Sequence, residues 1–488
     1  MTSASASTTL HARRWSWPAL LFAALAICVL VGALIYPTYP NYDSMYSLLW
    51  GRELLHGHTP SFEAYRAPTE HPLGIVFGAL LALLGRAGDR TMVFMTLASF
   101  LVLVAGLYRL GRVAFTPLVG VVAGIILCTR FDFPFLAARA YIDIPYLALV
   151  IWAAALEASR PRRGMPVLVL LGFAGLLRPE AWLLSGIYWL YLFPRWTWRE
   201  RIIGALVVGA APVLWVLTDY AVTGDPLYSQ NHTSGLAEEL GRQKGLSQVP
   251  SATVSFLKSL VKLPVAVAGF VGLLLAAWLA PTRLRVPLAL LVIGLGTFVL
   301  VGAAGLSVIN RYLLVPSLMV MLFAAVTAGG WTMLRSSRVR TLWIAAAAAA
   351  VVFAAAWTLA RVNLSSLFTE LQFRGDSRAS LVKLLDDPKV RAALRCGPVT
   401  TPNHKLIPDV RWILNLPEHR VVARSDLPSA AKVHYGLALL AGNRAVLMRQ
   451  GFNPTDTSAQ DTEFNLPPTG YLWIAATPYY AAYARCPA

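Results

Sequence analysis

The amino-acid sequence predicts an all-α polytopic membrane protein of about eleven transmembrane helices. Outer juxtamembrane helices and a small C-terminal α/β or α+β domain complete the expected architecture. Three observations carry this prediction. Of 488 residues, 57% are hydrophobic and only 14% are charged, where a soluble domain averages about 25% charged. Apolar runs of bilayer-spanning length recur along most of the chain and are separated by short Arg-bearing loops. Past Arg361 the composition turns polar, with short apolar runs such as "HRVVAR" and "GYLWIAA" punctuated by Pro, Asn and Asp, the pattern of a folded domain outside the membrane.

The first run, Trp15 to Tyr36, follows a basic start, but it is too long for a signal-peptide core and no small-residue cleavage site follows. It reads as a retained first span. Ten further spans are expected at residues 91–110, 117–130, 143–158, 166–178, 181–194, 203–220, 264–280, 286–304, 312–331 and 342–360. The run "HPLGIVFGALLALLG", His71 to Gly85, is shorter and fits a re-entrant or interfacial segment. Arginines decide its path. If it does not cross, Arg13 and Arg14, Arg109 and Arg112, Arg160 to Arg163, Arg195 to Arg201, Arg283 and Arg285, and Arg335 to Arg340 share one side. That side is the cytoplasm, so the N-terminus is expected inside and the C-terminus outside. The expected division is a membrane module over 1–374, with an outer loop at 37–90, and an extracytoplasmic domain over 375–488.

The formal charge of +18 follows the positive-inside distribution, so no nucleic-acid partner is expected. Cys28 and Cys128 lie in apolar runs and read as packing residues. Cys396 and Cys486 flank the polar C-terminal part, and spacing alone leaves their pairing as a disulfide open.

Most acids up to Glu239 fall at the outer face in this threading, with Glu157 and Glu200 as exceptions. Topology rules rest on Lys and Arg, so this segregation points to an outward-facing polar site. "YPNYDSMYSLLWGRELLHG" places Asp43 at the start of an amphipathic helix expected on the outer interface, where it is either an N-cap or a functional carboxylate. "YRAPTEHPLG" carries Arg66 and holds Glu70 and His71 between Pro68 and Pro72, which enforce extended backbone. "ARAYIDIP" carries Arg139 and Asp143, the latter a helix cap or a site residue with equal claim. Arg178 and Glu180 in "RPE" read as a structural network with each other or with Asp132 or Asp143. Arg311 and Tyr312 open a late span, where an Arg either snorkels or meets a lipid phosphate. "TGDPLYSQNHTSGLAEELGRQKG" reads as a mobile outer loop able to close over a cleft.

In this order the pieces resemble the GT-C glycosyltransferases, polytopic enzymes that take sugar from a polyprenyl-phosphate carrier. Protein O-mannosyltransferases, lipid A aminoarabinose transferases and actinobacterial cell-wall mannosyl- and arabinosyltransferases are examples. The resemblance covers about residues 15–330 and rests on "NYDSMYSLLWGRELLHG", "EHPLG", "ARAYIDIP", "RPE" and "RYLLVP". It implies a plasma-membrane enzyme that moves a sugar from a polyprenyl-phosphate donor to a glycan, lipid or protein hydroxyl, inverting, with Asp43 as general base. Arg311 would answer the leaving phosphate, with Arg66, His71 or Arg139 as helpers; Asp143, Glu70 and Tyr312 would line the substrate cleft. No cofactor is implied, and a single acid in the first loop instead of an acidic pair departs from the metal-assisted variants. The rival reading is a multi-span transporter or flippase, which would place ionisable groups or broken helices near mid-membrane in two related halves.

Overall fold

The computed structural model describes residues 17–239, 244–361, 365–447 and 464–487. Arg13 and Arg14 therefore lie outside the described residues. Helix α1 (Trp17–Ile35) has mostly exposed apolar side chains, as expected of a lipid-facing span. Helices α2 (Tyr42–Leu55) and α3 (Pro72–Ala82) follow, and then α4 (Ala87–Ala114). Next come α5 (Pro117–Cys128), α6 (Asp132–Ala138), α7 (Asp143–Ser159), α8 (Met165–Gly175) and α9 (Glu180–Leu192). Helix α10 (Trp198–Thr223) starts in a reciprocal Thr197/Glu200 capping box. It leads to α11 (Tyr228–Glu239), α12 (Val249–Val261), α13 (Leu263–Leu279), α14 (Arg285–Ala303), α15 (Leu314–Gly329) and α16 (Arg338–Arg361).

Each of the eleven expected spans coincides with a helix, but fewer are long enough to cross. Among the described residues six are long and apolar enough, or up to eight if the bent pairs α5/α6 and α12/α13 each count as one. The difference lies in α7, α8 and α9, of 17, 11 and 13 residues, where a ~30 Å core takes about 20. Helix α8 stops at Gly175 just before the Arg178-Pro179-Glu180 corner. The central core is formed by α4, α7, α13 and α15, with Leu103, Leu107, Leu147, Ile151, Leu318, Leu322 and Phe323 at its middle.

Two features of the outer loop position the site. Helix α2 does not lie with one face in solvent, as an interfacial helix would: Ser44 to Gly51 are all buried. Its neighbour α3 approaches so closely that a Cβ on Gly51 would strike the backbone of Ala79, and one on Gly78 the carbonyl of Ser47. The other side of α2 meets Trp412, which belongs to the same small core as Met45, Leu49 and Trp50. Packing on both sides thus overrides the amphipathic pattern.

The C-terminal part begins with α17 (Ser365–Leu385), which runs continuously across residue 375, and continues with α18 (Pro388–Ala393). Strands β1 (Val399–Thr401), β2 (Val421–Ala423), β3 (Gly436–Ala441), β4 (Leu472–Ala476) and β5 (Tyr480–Arg485) form one sheet in the order β2-β1-β3-β5-β4. β1 is parallel to β2 and β3, and β5 is antiparallel to β3 and β4. Helix α19 (Ile407–Leu414) connects β1 to β2. Cys396 and Cys486 are joined in a disulfide that ties the entry of β1 to the exit of β5.

This unit grips both flanks of α3. Before it, the Tyr65 hydroxyl donates to the Ser425 carbonyl at 3.1 Å, and fully buried Arg411 reaches the Ser61 hydroxyl at 3.1 Å and the Glu53 carboxylate. After it, Arg86 donates to Asp386 at 3.0 Å and to the Ile413 carbonyl at 2.8 Å. Eleven residues of helix, about 16 Å, therefore start and end beside one folded unit.

Candidate active site

A cavity of about 960 Å³ opens between the bundle and the C-terminal unit, and Asp43, Arg66, His71, Arg139, Arg178, Arg311 and Tyr312 are on its wall. Asp43 is there because it is not needed as a cap. Asn41 holds that place, its side chain accepting from the Ser44 amide at 3.2 Å, which leaves the Asp43 carboxylate in the first turn of α2 free to face the cavity. The Asp43 carboxylate meets Nη1 of Arg311 at 3.0 Å. Nε of Arg311 reaches Asp143 at 3.2 Å, and Arg178 binds the same Asp143 and also Glu180, the latter at 2.7 Å.

Asp143 is wholly buried and is absent from the cavity wall. It caps nothing, since α7 begins without a side-chain cap bond. It holds both guanidiniums in place, and tertiary structure resolves the equal claims of cap and site in favour of an ion-pair centre. The expected Arg178–Glu180 network is present with Asp143 as its third member; no ion pair joins Asp132 to it among the described residues. Tyr141 and Tyr312 add faces to the same cations, with Arg311 Cζ 5.4 Å from the Tyr141 ring and Arg178 Cζ 5.5 Å from the Tyr312 ring.

Glu70 and His71, adjacent in extended chain, face apart. The Glu70 side chain is buried, accepts from Trp215 Nε1 at 2.8 Å and meets the Ser229 hydroxyl, which donates to Asp219 at 2.8 Å. Burial, and then the neighbouring Asp219, push the Glu70 carboxyl up to about 9, so it carries a proton at neutral pH. His71 does face the cavity. Burial holds its imidazole down at about 3, so it offers a neutral ring and not a cation to any substrate. Arg66 sits at φ 52°, pairs with Glu239 at 3.3 Å, and its carbonyl accepts from the Tyr42 hydroxyl at 2.9 Å.

The expected closing loop contains α11, laid on the segment before α3. Tyr228 donates to the Phe62 carbonyl at 3.0 Å, His232 Nε2 to the Ala67 carbonyl at 2.7 Å, and Thr233 meets Thr69 at 2.6 Å.

Several wall residues escaped sequence reasoning. Trp182 and Trp215 read as ordinary span residues, Asp219 was one of the outer-face acids without a role of its own, Arg374 closes the expected membrane module, and Asn403, His404, Lys405 and Asp409 come from a domain with no recognised motif. The polar run "TPNHKLIPD" was the available signal, since it interrupts the short apolar runs of that domain. Among the described residues no three His, Cys, Asp or Glu are grouped to hold a metal ion.

No protein-family model matches the chain, and no curated protein matches its sequence. Solved structures do. An archaeal oligosaccharyltransferase from Archaeoglobus fulgidus in the apo form aligns at 10% identity over 82% of this chain and 64% of its own, with a TM-score of 0.47. ArnT from Cupriavidus metallidurans in the apo state, a lipid A aminoarabinose transferase, aligns at 15% identity over 95% of this chain and 97% of its own, with a TM-score of 0.56. Over nearly its whole length, this chain shares the fold of ArnT.

Proposed function

We propose that the chain transfers a sugar from a polyprenyl-phosphate donor to a hydroxyl acceptor at the extracytoplasmic face of the plasma membrane, with inversion at the anomeric carbon. The observation that carries this reading is the Asp43–Arg311 ion pair on the wall of a cavity, in a fold shared with ArnT. A hydroxyl is a poor nucleophile until a base takes its proton. The acceptor oxygen forms a bond to the anomeric carbon, the bond from that carbon to the phosphate oxygen breaks, and the phosphate leaves with the electron pair. The acceptor proton goes to Asp43.

That transfer has an electrostatic consequence at Arg311. Once protonated, Asp43 no longer neutralises the guanidinium, which turns its charge toward the phosphate as negative charge grows there. Base and electrostatic partner are thus coupled by one contact. Asp143 keeps Arg311 from following Asp43 away. The Arg pattern of the loops supports an extracytoplasmic cavity, with residues 375–488 forming the outer unit.

The test is transfer of radiolabelled sugar from polyprenyl-phosphate donor by purified protein. Asp43→Asn is expected to lower the rate by about 10²- to 10⁴-fold while the folded state is retained. A folded variant working at the wild-type rate would remove Asp43 from the chemistry.

A further inference from the structure

The first turn of a helix frays before the rest of it, because its leading amides have no partner inside the helix. Asp43 sits in the first turn of α2, yet a base must keep its carboxylate within hydrogen-bond reach of the proton it takes. The corner between α6 and α7 supplies the hold. Three consecutive carbonyls there accept from residues on either side of Asp43. The Thr38 hydroxyl donates to Ala138, the Asn41 amide to Arg139 at 2.7 Å with its side-chain Nδ2 reaching the same oxygen at 3.3 Å, and the Ser44 hydroxyl to Ala140 at 2.6 Å. Thr38, Asn41 and Ser44 are all buried, so water does not compete for these bonds.

These carbonyls are aimed by a backbone that few residues adopt. Ala140 has φ 54°, a left-handed conformation that a residue with a Cβ keeps only where its surroundings impose it. Phe133, Leu136 and Ala137 before the corner and Ile144 after it belong to the central core, which fixes it at both ends. The same stretch goes on to hold the cation. The Tyr141 ring lies 5.4 Å from Arg311 Cζ, and Asp143 takes Arg311 Nε at 3.2 Å. Residues 138–143 thus touch both the turn that carries Asp43 and the side chain that pairs with it.

We infer that residues 138–143 are a positioning element for the reaction, and that Ser44 and Thr38 are the positioning side chains through which this corner sets the Asp43 carboxylate against Arg311. The inference rests on the transfer reading above, in which Asp43 is the base. The Asp43–Arg311 contact joins elements 268 residues apart, and a partly exposed ion pair is too weak to hold them there unaided. The corner makes that contact a consequence of backbone already fixed. Helix α2 therefore presents its carboxylate in place before an acceptor arrives, and no binding energy is spent on ordering it.

The test is a double-mutant cycle in the full-length protein in detergent, read as transfer from radiolabelled polyprenyl-phosphate mannose or arabinose per folded molecule. Ser44→Ala is expected to lower kcat about 10- to 10²-fold, the loss that an ångström of misplacement brings, with the donor KM held within about twofold. In the Asp43→Asn background the same substitution is expected to change the rate by less than about twofold, because the carboxylate it would misplace is gone. A merely structural role would lower the rate by the same factor in both backgrounds. That result, or a wild-type kcat in folded Ser44→Ala, overturns the inference. Thr38, which is not on the cavity wall, gives the second variant: Thr38→Val runs the same cycle if Ser44→Ala fails to fold, with a smaller loss in the same direction. A slow Asp43→Asn beside a normal Ser44→Ala removes the inference alone. A wild type that transfers neither sugar, or an Asp43→Asn variant at full rate, removes the transfer reading and the inference with it.

Discussion

The bundle wall and the C-terminal wall of the cavity use the same residue types to different ends. On the bundle wall two guanidiniums are shared between carboxylates, with Arg311 between Asp43 and Asp143 and Arg178 between Asp143 and Glu180. A change of protonation at one acid is therefore felt at the next cation, which suits a reaction that moves a proton and expels an anion. On the C-terminal wall, Arg378 joins Asp409 of its own unit to Asp89 of the bundle, which suits holding the two units together. One cavity can thus set charge that suits proton movement beside charge that holds two folded units together.

The sharpest way to break this comparison is Asp43→Asn, with the rate loss given above, since the pairs of the C-terminal wall then stay intact while transfer stops. Asp143→Asn comes next. It leaves Arg178 and Arg311 buried beside one another with a carboxylate removed from between them, and is expected to cost about 3–5 kcal/mol of stability, read as a lowered unfolding midpoint in detergent. Preserved stability would mean that Glu180 and Asp43 alone hold the pair.

Glu53→Gln probes the joint between the walls. Arg411 is fully buried against Glu53 and Ser61, and loss of that charge is expected to cost about 1–3 kcal/mol. Proteolysis of the C-terminal unit off the bundle would report it. An unchanged cleavage pattern and midpoint would show that Trp412 packing suffices.

The smallest effect is expected at Glu70. Its carboxyl is raised to about 9, so the protonated form is the one favoured in the fold. The stabilisation is present in full below the ordinary carboxyl range and is lost as pH rises through that window toward 9. The protection of the 228–239 helix against hydrogen exchange, taken relative to the intrinsic rate at each pH, is expected to fall over that rise in the wild type and to stay level in Glu70→Gln, which keeps a neutral side chain. Parallel curves for the two would detach Glu70 from the hold on α11.

Much of the fold was legible because it is local. Apolar length and Arg placement act within about twenty residues, and each expected span does coincide with a helix, including the short α3. The lengths of α7, α8 and α9 were not legible, because Arg178 and Glu180 end apolar runs without saying where the backbone turns. Nor was the burial of α2, whose Trp50 and Leu49 read as a lipid-facing stripe until Trp412 is packed against them from a separate part of the chain.

By itself, the sequence determined that this chain inserts in a membrane, which of its segments are helical, and which acids and arginines crowd one end. It named Asp43 and Arg311 as separate candidates. Only tertiary structure decided that they touch, at 3.0 Å across 268 residues, and that buried Asp143 stands behind Arg311, off the cavity wall. The physical reason is range. Hydropathy and helix signals are written in neighbouring residues, whereas an ion pair depends on where the packing of several helices brings two distant side chains, and no period in the chain records that.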